Sequence, residues 1–387
     1  MDFQLTADQE QIRDAVRAVV SDFSGEYWQK LDRELGYPTE FIEALTEGGW
    51  LAALIPEEFG GIGVGILEAS LILEEINRSP GNAGVCHAQM YVMGTLLRHG
   101  SDEQKKRFLS PIAAGELRLQ AFGVTEPTTG SDTTKLKTFA KRVGDRYVVN
   151  GQKVWISRTE HSDLMLLLVR TTPVDQVKKK TEGLSVLLVD LREAIGNGIT
   201  VRPIPTMMNH HSCELFIDDL EVPCENLVGE EGKGFRYILD GMNAERILIA
   251  AECVGDARFF LARASDYARD REVFGRPIGQ NQGVQFPLAR AHAHTEAADL
   301  VRFRAATAFD RRQACGVDAN IAKLLAADAS WEAGNAALQT LGGFGFAAEY
   351  DVERKLRETR LYQVAPISTN LILSFIAERV LDLPRSY

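Results

Sequence analysis

The sequence predicts an α+β multidomain protein, with an N-terminal helical domain, a middle β-barrel domain and a C-terminal four-helix-bundle domain. Three observations carry this. Apolar residues recur at helical spacing through the first third of the chain. From about Leu117 to about Val228 the pattern changes to short strand-like runs separated by turns. From Gly234 the helical period returns and persists to the end. Helices, strands, then helices suit a small barrel between two helical regions, the last able to close as a bundle. The boundaries drawn this way are 1–117, 118–231 and 232–387.

Thr6 with Gln9 reads as a capping box that opens a helix carrying Ile12, Val16, Val19 and Val20 on one face. The glycines of IPEEFGGIGVG, residues 55–65, look superficially like a dinucleotide loop, but no βαβ unit surrounds them. Ser101 with Gln104 repeats the capping device before a helix through Phe108. In the middle third, Tyr147 to Val149, then Asn150-Gly151, then Lys153 to Ile156 read as a hairpin, because Asn-Gly suits a type I′ turn. Leu164–Arg170, Leu184–Leu191, Ile199–Arg202 and Glu214–Ile217 read as strands, and Lys178 to Lys180 as a solvated loop tip. The glycine-rich Gly229–Phe235 leads into a long helix over Phe235–Arg269, followed by three or four more.

With 387 residues, 45% of them hydrophobic, the chain can bury a large core. A net charge of −11 argues against a nucleic-acid partner and against docking on anionic membrane. The five cysteines are scattered, without CxxC spacing, which suits reduced thiols in a cytosol. The histidines have no partners at ligand spacing, so no metal is expected. The N-terminus has no apolar signal core, and runs such as Leu164–Val169 are too short to span a bilayer, so a cytoplasmic protein is expected.

Two strings carry the chemistry: FGVTEPTTGSD, Phe122 to Asp132, and WIS, Trp155 to Ser157. Together, in this order and spacing, they resemble the flavin-contacting strands of the acyl-CoA dehydrogenase family, whose pattern is TEPxxGSD followed by WIT or WIS. The physical reading agrees. A flavin needs hydrogen-bond donors at N1, O2 and N5, where charge collects when a hydride arrives, and Thr125 and Ser157 are short hydroxyl donors on strand-like chain. Trp155 offers a broad apolar face for a ring system. Gly130 and Ser131 let backbone and a hydroxyl approach a pyrophosphate. The resemblance thus implies FAD, with Phe122, Val124 and Ile156 flanking those donors.

The resemblance covers nearly the whole chain. DREVFGRPIGQNQ, Asp270 to Gln282, is similar to a family segment that reaches the adenosine diphosphate part of FAD on a neighbouring subunit, which makes Arg271, Phe274, Asn281 and Gln282 candidates. Arg271 brings a guanidinium fork matched to pyrophosphate oxygens. QTLGGFGFAAEY, from Gln339, is similar to the family's QxxGGxGY element, with Gln339, Gly342 and Gly343 as candidates. Ser368 and Asn370 fall on FAD-contacting positions of the last helix. Because such contacts cross a subunit boundary in the family, the resemblance implies a homotetramer.

Oxidation of an acyl-CoA needs a carboxylate to take the α-proton, and that carboxylate should be desolvated so that its pKa rises. In many family members it sits just before the last helix, where this chain has Pro366. A second family location, seen in isovaleryl-type enzymes, lies on the helix after the barrel, and Glu245-Arg246 fall on it. Glu245 precedes Ile247, Leu248 and Ile249, which predicts a buried acid, whereas Glu252, two turns on, is a weaker candidate. Ser131, Asn243 and Arg246 are expected near the thioester. Pro366 cannot supply the backbone N–H that meets the thioester carbonyl in the family, so either Ile367 donates or the carbonyl sits differently. Asn209-His210-His211 also departs from the family pattern.

The resemblance therefore implies FAD-dependent α,β-dehydrogenation of a fatty or branched-chain acyl-CoA, with electrons passed to an electron-transfer flavoprotein. A flavin monooxygenase on the same fold, and a non-catalytic flavin-binding subunit, are the alternatives.

Overall fold

Thr6 and Gln9 form the reciprocal cap that the sequence predicts: Gln9 N donates to Thr6 Oγ1 at 3.3 Å, and Thr6 N to Gln9 Oε1 at 3.0 Å. Ser101 and Gln104 do the same at 3.2 and 3.1 Å. The computed structural model describes residues 4–385. Helices α1 (Ala7–Ser21), α2 (Gly25–Glu34), α3 (Thr39–Glu47), α4 (Ile66–Arg78), α5 (Gly84–His99) and α6 (Asp102–Ala113) occupy the first third. Strands β1 (Leu119–Gly123), β2 (Phe139–Val143), β3 (Arg146–Ser157), β4 (Leu164–Arg170), β5 (Leu184–Asp190), β6 (Ile199–Pro203), β7 (Ser212–Pro223) and β8 (Leu227–Val228) follow, with the short α7 (Leu191–Ala194) after β5. Then come α8 (Gly234–Asp270), the ribbon β9 (Glu272–Val273) and β10 (Arg276–Pro277), α9 (Gln282–Asp310), α10 (Gly316–Leu341), α11 (Val352–Thr359) and α12 (Thr369–Arg379). Among the described residues no helix is long and apolar enough to cross a membrane.

The chain forms two compact units. One comprises the helices up to Leu45, Val64–His87 and the chain from Asn243 on; the other comprises Thr46–Gly63 and Ala88–Met242. In the second unit the expected barrel is an eight-stranded mixed sheet, β6-β7-β3-β2-β4-β5-β8, with β1 parallel to β4. The continuous apolar run of β4 is explained by burial on both faces. Leu164, Leu166 and Leu168 pack with Val92, Met93 and Leu96 of α5 and Phe108 and Ile112 of α6. Met165, Leu167 and Val169 pack with Tyr147, Val149, Leu215 and Val222 of the neighbouring strands.

The hairpin expected at Asn150-Gly151 is not there. β3 runs straight through it, and the turn lies at Gly144, φ +62°, between Val143 and its partner Arg146. Asn150 spends its amide across the sheet instead: Nδ2 donates to Asp219 Oδ1 at 2.9 Å and Oδ1 accepts from Asp219 N at 2.9 Å, holding a bulge in β7 where Asp219 sits at φ +46°. Gly151 passes so close to β2 that an added Cβ would lie 2.4 Å from Thr138 Oγ1. Tertiary pairing overrode a local turn preference.

In the first unit, Ala257, Phe260 and Ala264 of α8, Ala291 of α9, Ala333 and Ala337 of α10 and Val352 of α11 share one core, which realises the predicted four-helix bundle. Small residues let these helices approach; a Cβ on Gly255 of α8 would meet the Glu74 carbonyl of α4 at 2.4 Å. Arg302 of α9 is fully buried and entirely satisfied: Nη1 donates to Ser70 Oγ at 2.6 Å, Nη2 to Glu74 Oε2 at 2.9 Å, and Nε to Asp299 Oδ1 at 2.8 Å. Arg258 completes the network on Glu74 and Asp299. Removing one charge from such a network strands the others away from water. Arg302→Met is accordingly expected to lose about 3 kcal/mol or more of stability in urea unfolding; a loss below about 1 kcal/mol, the scale of an exposed pair, would contradict this reading.

Candidate active site

In the second unit, a buried ion pair builds the turn that carries the first motif. The Glu126 carboxylate accepts from Lys137 N at 2.7 Å, Thr138 N at 2.9 Å and Lys153 Nζ at 3.0 Å, and Lys153 also donates to the Val124 carbonyl at 3.1 Å. Burial works to raise the Glu126 pKa, but Lys153 and these hydrogen bonds outweigh it and hold it below the usual carboxylate range. Burial lowers the Lys153 pKa to about 8 against the pull of Glu126. The pair clamps β3 to the segment after β1, so that Val154 N donates to the Thr125 carbonyl at 2.9 Å.

Next to this clamp the β3–β7 ladder slips register between Lys153 and Ile156. Trp155 takes a left-handed conformation, φ +61°, and its indole is turned outward, 58% exposed. Such a conformation is an outlier for a bulky residue and marks a site where the fold holds a side chain against its local preference. Ile156 is buried in the sheet core. Ser157 Oγ lies 2.9 Å from His210 Nε2. Phe122, Val124 and Thr125 are half-buried and Gly130 and Ser131 exposed; a Cβ on Gly130 would meet nothing within 4 Å. An uncovered aromatic face beside short hydroxyls and an open glycine fits a flavin.

In the first unit, Glu245 is buried on α8 amid Ala244, Ile247, Leu248 and Ile249. Burial raises its pKa from 4.5 to about 7; His87 and Arg246 oppose this, Glu252 adds to it, and Lys323 opposes it. Glu245, Glu252 and Asp256 stand seven and four residues apart, one stripe of the helix. Glu252 accepts from Tyr362 Oη at 2.9 Å and has His87 Nδ1 3.0 Å away. Asp256 is 2.5 Å from Lys355 Nζ, and burial lifts its pKa to about 7. Arg246 is buried, donates from Nη1 to Asn243 Oδ1 at 3.0 Å, and burial lowers its pKa. The Ile367 carbonyl accepts from the buried Lys323 Nζ at 2.8 Å.

Elsewhere in this unit the ribbon and the Gly342–Phe346 turn come together, with the Arg271 guanidinium 6.0 Å from the Phe344 ring centre. Phe274 is fully exposed at φ +54°. Asn281 precedes α9 and accepts from Arg276 Nη2 at 2.9 Å, with Gln282 exposed beside it. Gln339, Gly342 and Gly343 are exposed, and a Cβ on either glycine would meet nothing within 4 Å. Ser368 caps α12, accepting from Leu371 N at 3.3 Å, and Asn370 is exposed. Open glycines beside a guanidinium fit a nucleotide diphosphate.

His87, Lys323 and Tyr362 were not singled out from the sequence. Each joins the Glu245–Glu252 stripe from a distant segment, and nothing in the sequence around it marks that role.

Residues 6–116, 121–220 and 232–381 match the N-terminal, middle and C-terminal domains described for acyl-CoA dehydrogenases. The chain is 36% identical to acyl-CoA dehydrogenase fadE12 of Mycobacterium bovis over 383 residues, covering 98% of this chain and 97% of that protein. It is similar to the structure of glutaryl-coenzyme A dehydrogenase in complex with glutaryl-CoA, with TM-score 0.92, 31% identity, and 100% of this chain and 98% of that one covered. It is also similar to PigA with FAD and proline, with TM-score 0.91, 26% identity, and 99% and 100% covered.

The buried acid has a measurable consequence. Its pKa is raised above the unfolded value, so between about 4.5 and about 7 the folded state holds a proton that the unfolded chain gives up. Stability from this group is therefore greatest at low pH and is lost as pH rises through that window. Glu245→Gln, compared with the parent by urea unfolding, is expected to gain relative stability from pH 4.5 to pH 8, by up to about 3 kcal/mol. A pH-independent difference would contradict the assignment.

Proposed function

The chain belongs to the acyl-CoA dehydrogenase family, an FAD-dependent group of oxidoreductases, and from that premise we propose that it converts an acyl-CoA thioester to the 2-enoyl-CoA and passes the electrons to an electron-transfer flavoprotein. The observation that carries this reading is Glu245, an acid buried on α8 with its pKa raised to about 7. A base working near neutral pH is best served by such a value.

FAD, when bound, supplies the acceptor for the hydride that leaves the β-carbon. Glu245 takes the α-proton onto its carboxylate. Arg246, fixed by Asn243, lies next to it in the chain and keeps a cation beside the acid. Thr125 and Ser157 offer hydroxyls to the isoalloxazine, Trp155 its face, and Phe122, Val124 and Ile156 the flanking chain. Gly130 and Ser131 leave room for the pyrophosphate, and Ser131 also for the thioester end of the substrate. Arg271, Phe274, Asn281, Gln282, Gln339, Gly342, Gly343, Ser368 and Asn370 serve the dinucleotide of a neighbouring copy in a cytoplasmic homotetramer. Pro366 has no N–H, so the Ile367 N–H is assigned to the thioester carbonyl, with Lys323 anchoring Ile367 through its own carbonyl. Residues 1–117, 118–231 and 232–387 are the working division of the chain into domains.

Anaerobic mixing with a panel of acyl-CoA thioesters tests this. The parent protein is expected to lose its flavin absorbance with at least one thioester. Glu245→Gln should retain bound FAD and be reduced more slowly by roughly a thousandfold, the scale of losing a general base. Full reduction of that variant at the parental rate would remove Glu245 from the reaction. Rapid reoxidation by oxygen with a hydroxylated product would replace the dehydrogenase reading with a monooxygenase.

A further inference from the structure

The Asn209-His210-His211 sequence is left unexplained by the reading above, yet it makes a direct contact with one of its proposed cofactor donors. The β3–β7 ladder ends where Ser157 pairs with Ser212. Just beyond, Arg158 N donates to the His211 carbonyl at 2.8 Å, and His211 sits in the left-handed region at φ +50°. That sharp reversal brings the residue before it over the strand end, and His210 Nε2 comes to 2.9 Å from Ser157 Oγ. The loop is braced further by His211 packing edge-on against His161, ring centres 4.8 Å apart and planes at 88°.

A hydroxyl has one proton to give and two lone pairs to receive with. Were Nε2 the acceptor, Ser157 would spend its single proton on the imidazole and present only lone pairs to a bound cofactor. With the proton on Nε2, a lone pair of Ser157 is occupied by the imidazole and the serine proton is left for another acceptor. A flavin that gathers negative charge on accepting a hydride is stabilised by the second arrangement and opposed by the first.

We propose that His210 is a positioning residue for Ser157: its Nε2–H donates to Ser157 Oγ and thereby commits the Ser157 hydroxyl proton to FAD. The proposal rests on the reading of Ser157 as a cofactor donor. It makes the histidine tautomer, rather than the serine alone, the element that sets this hydrogen bond.

The test uses FAD-loaded protein and reads FAD dissociation constant, visible absorption and two-electron reduction potential, none of which needs turnover. Ser157→Ala, His210→Phe, His210→Gln and the Ser157→Ala/His210→Phe double variant are compared with the parent. Loss of the imidazole donor in His210→Phe should weaken FAD binding by roughly fivefold, the scale of one hydrogen bond, and move the potential in the same direction as Ser157→Ala. The double variant should match Ser157→Ala alone, because both changes remove one interaction. His210→Gln keeps a donor and should restore parental values to within about twofold. Parental values in His210→Phe alongside altered values in Ser157→Ala would overturn the proposal while leaving the serine's role intact. Additive effects of the two substitutions would overturn it as well. Parental values in Ser157→Ala would overturn the reading of Ser157 itself, and the proposal with it. Should His210→Phe fail to fold, His210→Asn, with an amide too short to reach Ser157, takes its place in the same comparison.

Discussion

A carboxylate kept out of water on helix α8 is the constraint on which the rest depends. Ionising a buried acid is expensive, and the folded protein meets that cost with charge rather than with solvent. Glu245 has His87, Arg246 and Lys323 to oppose its desolvation, and Glu252 to add to it. Two turns on, Glu252 holds Tyr362 and His87, and Asp256 holds Lys355. Each acid on the stripe is matched by a group from a different segment: α5, α10, α11 or the chain just before α12. The helix cannot be read as a simple hydrophobic rod; it carries a line of buried acids, faced by polar and charged groups that the fold brings in from other segments.

The sheet unit solves a different problem with the same physics. There the ion pair of Glu126 and Lys153 has a structural role: with its bonds to Lys137 N, Thr138 N and the Val124 carbonyl it pins the motif-bearing turn to β3. Holding that turn permits the register slip that throws Trp155 outward in a left-handed conformation. Local backbone strain at Trp155 persists because the surrounding ladder and the ion pair determine it on both sides. In one unit burial raises the proton affinity of an acid, and in the other a buried ion pair places its neighbours.

How much of this was legible in the sequence follows from range. Features decided within a few residues read correctly: the two capping boxes, the β4 run, and a long helix after the sheet that begins at Gly234 and ends at Asp270. Glu245 could be read as buried because its own helix turn is apolar. The Asn150-Gly151 hairpin failed because a partner 69 residues away claims the Asn150 amide. His87, Tyr362 and Lys323 carry no local mark of their role, since each acts on a group far off in sequence. His210 stood out as a departure from pattern, but its meaning needed the β3–β7 register that sets it against Ser157.

The central claim is that α8 carries an acid whose proton is held near neutrality by burial. It is tested most directly by titrating that carboxyl itself, as the infrared carboxylate band present in the parent protein and absent from Glu245→Gln. The account predicts that this band grows in with a midpoint at about 7. A midpoint near the ordinary value of 4.5 would contradict it.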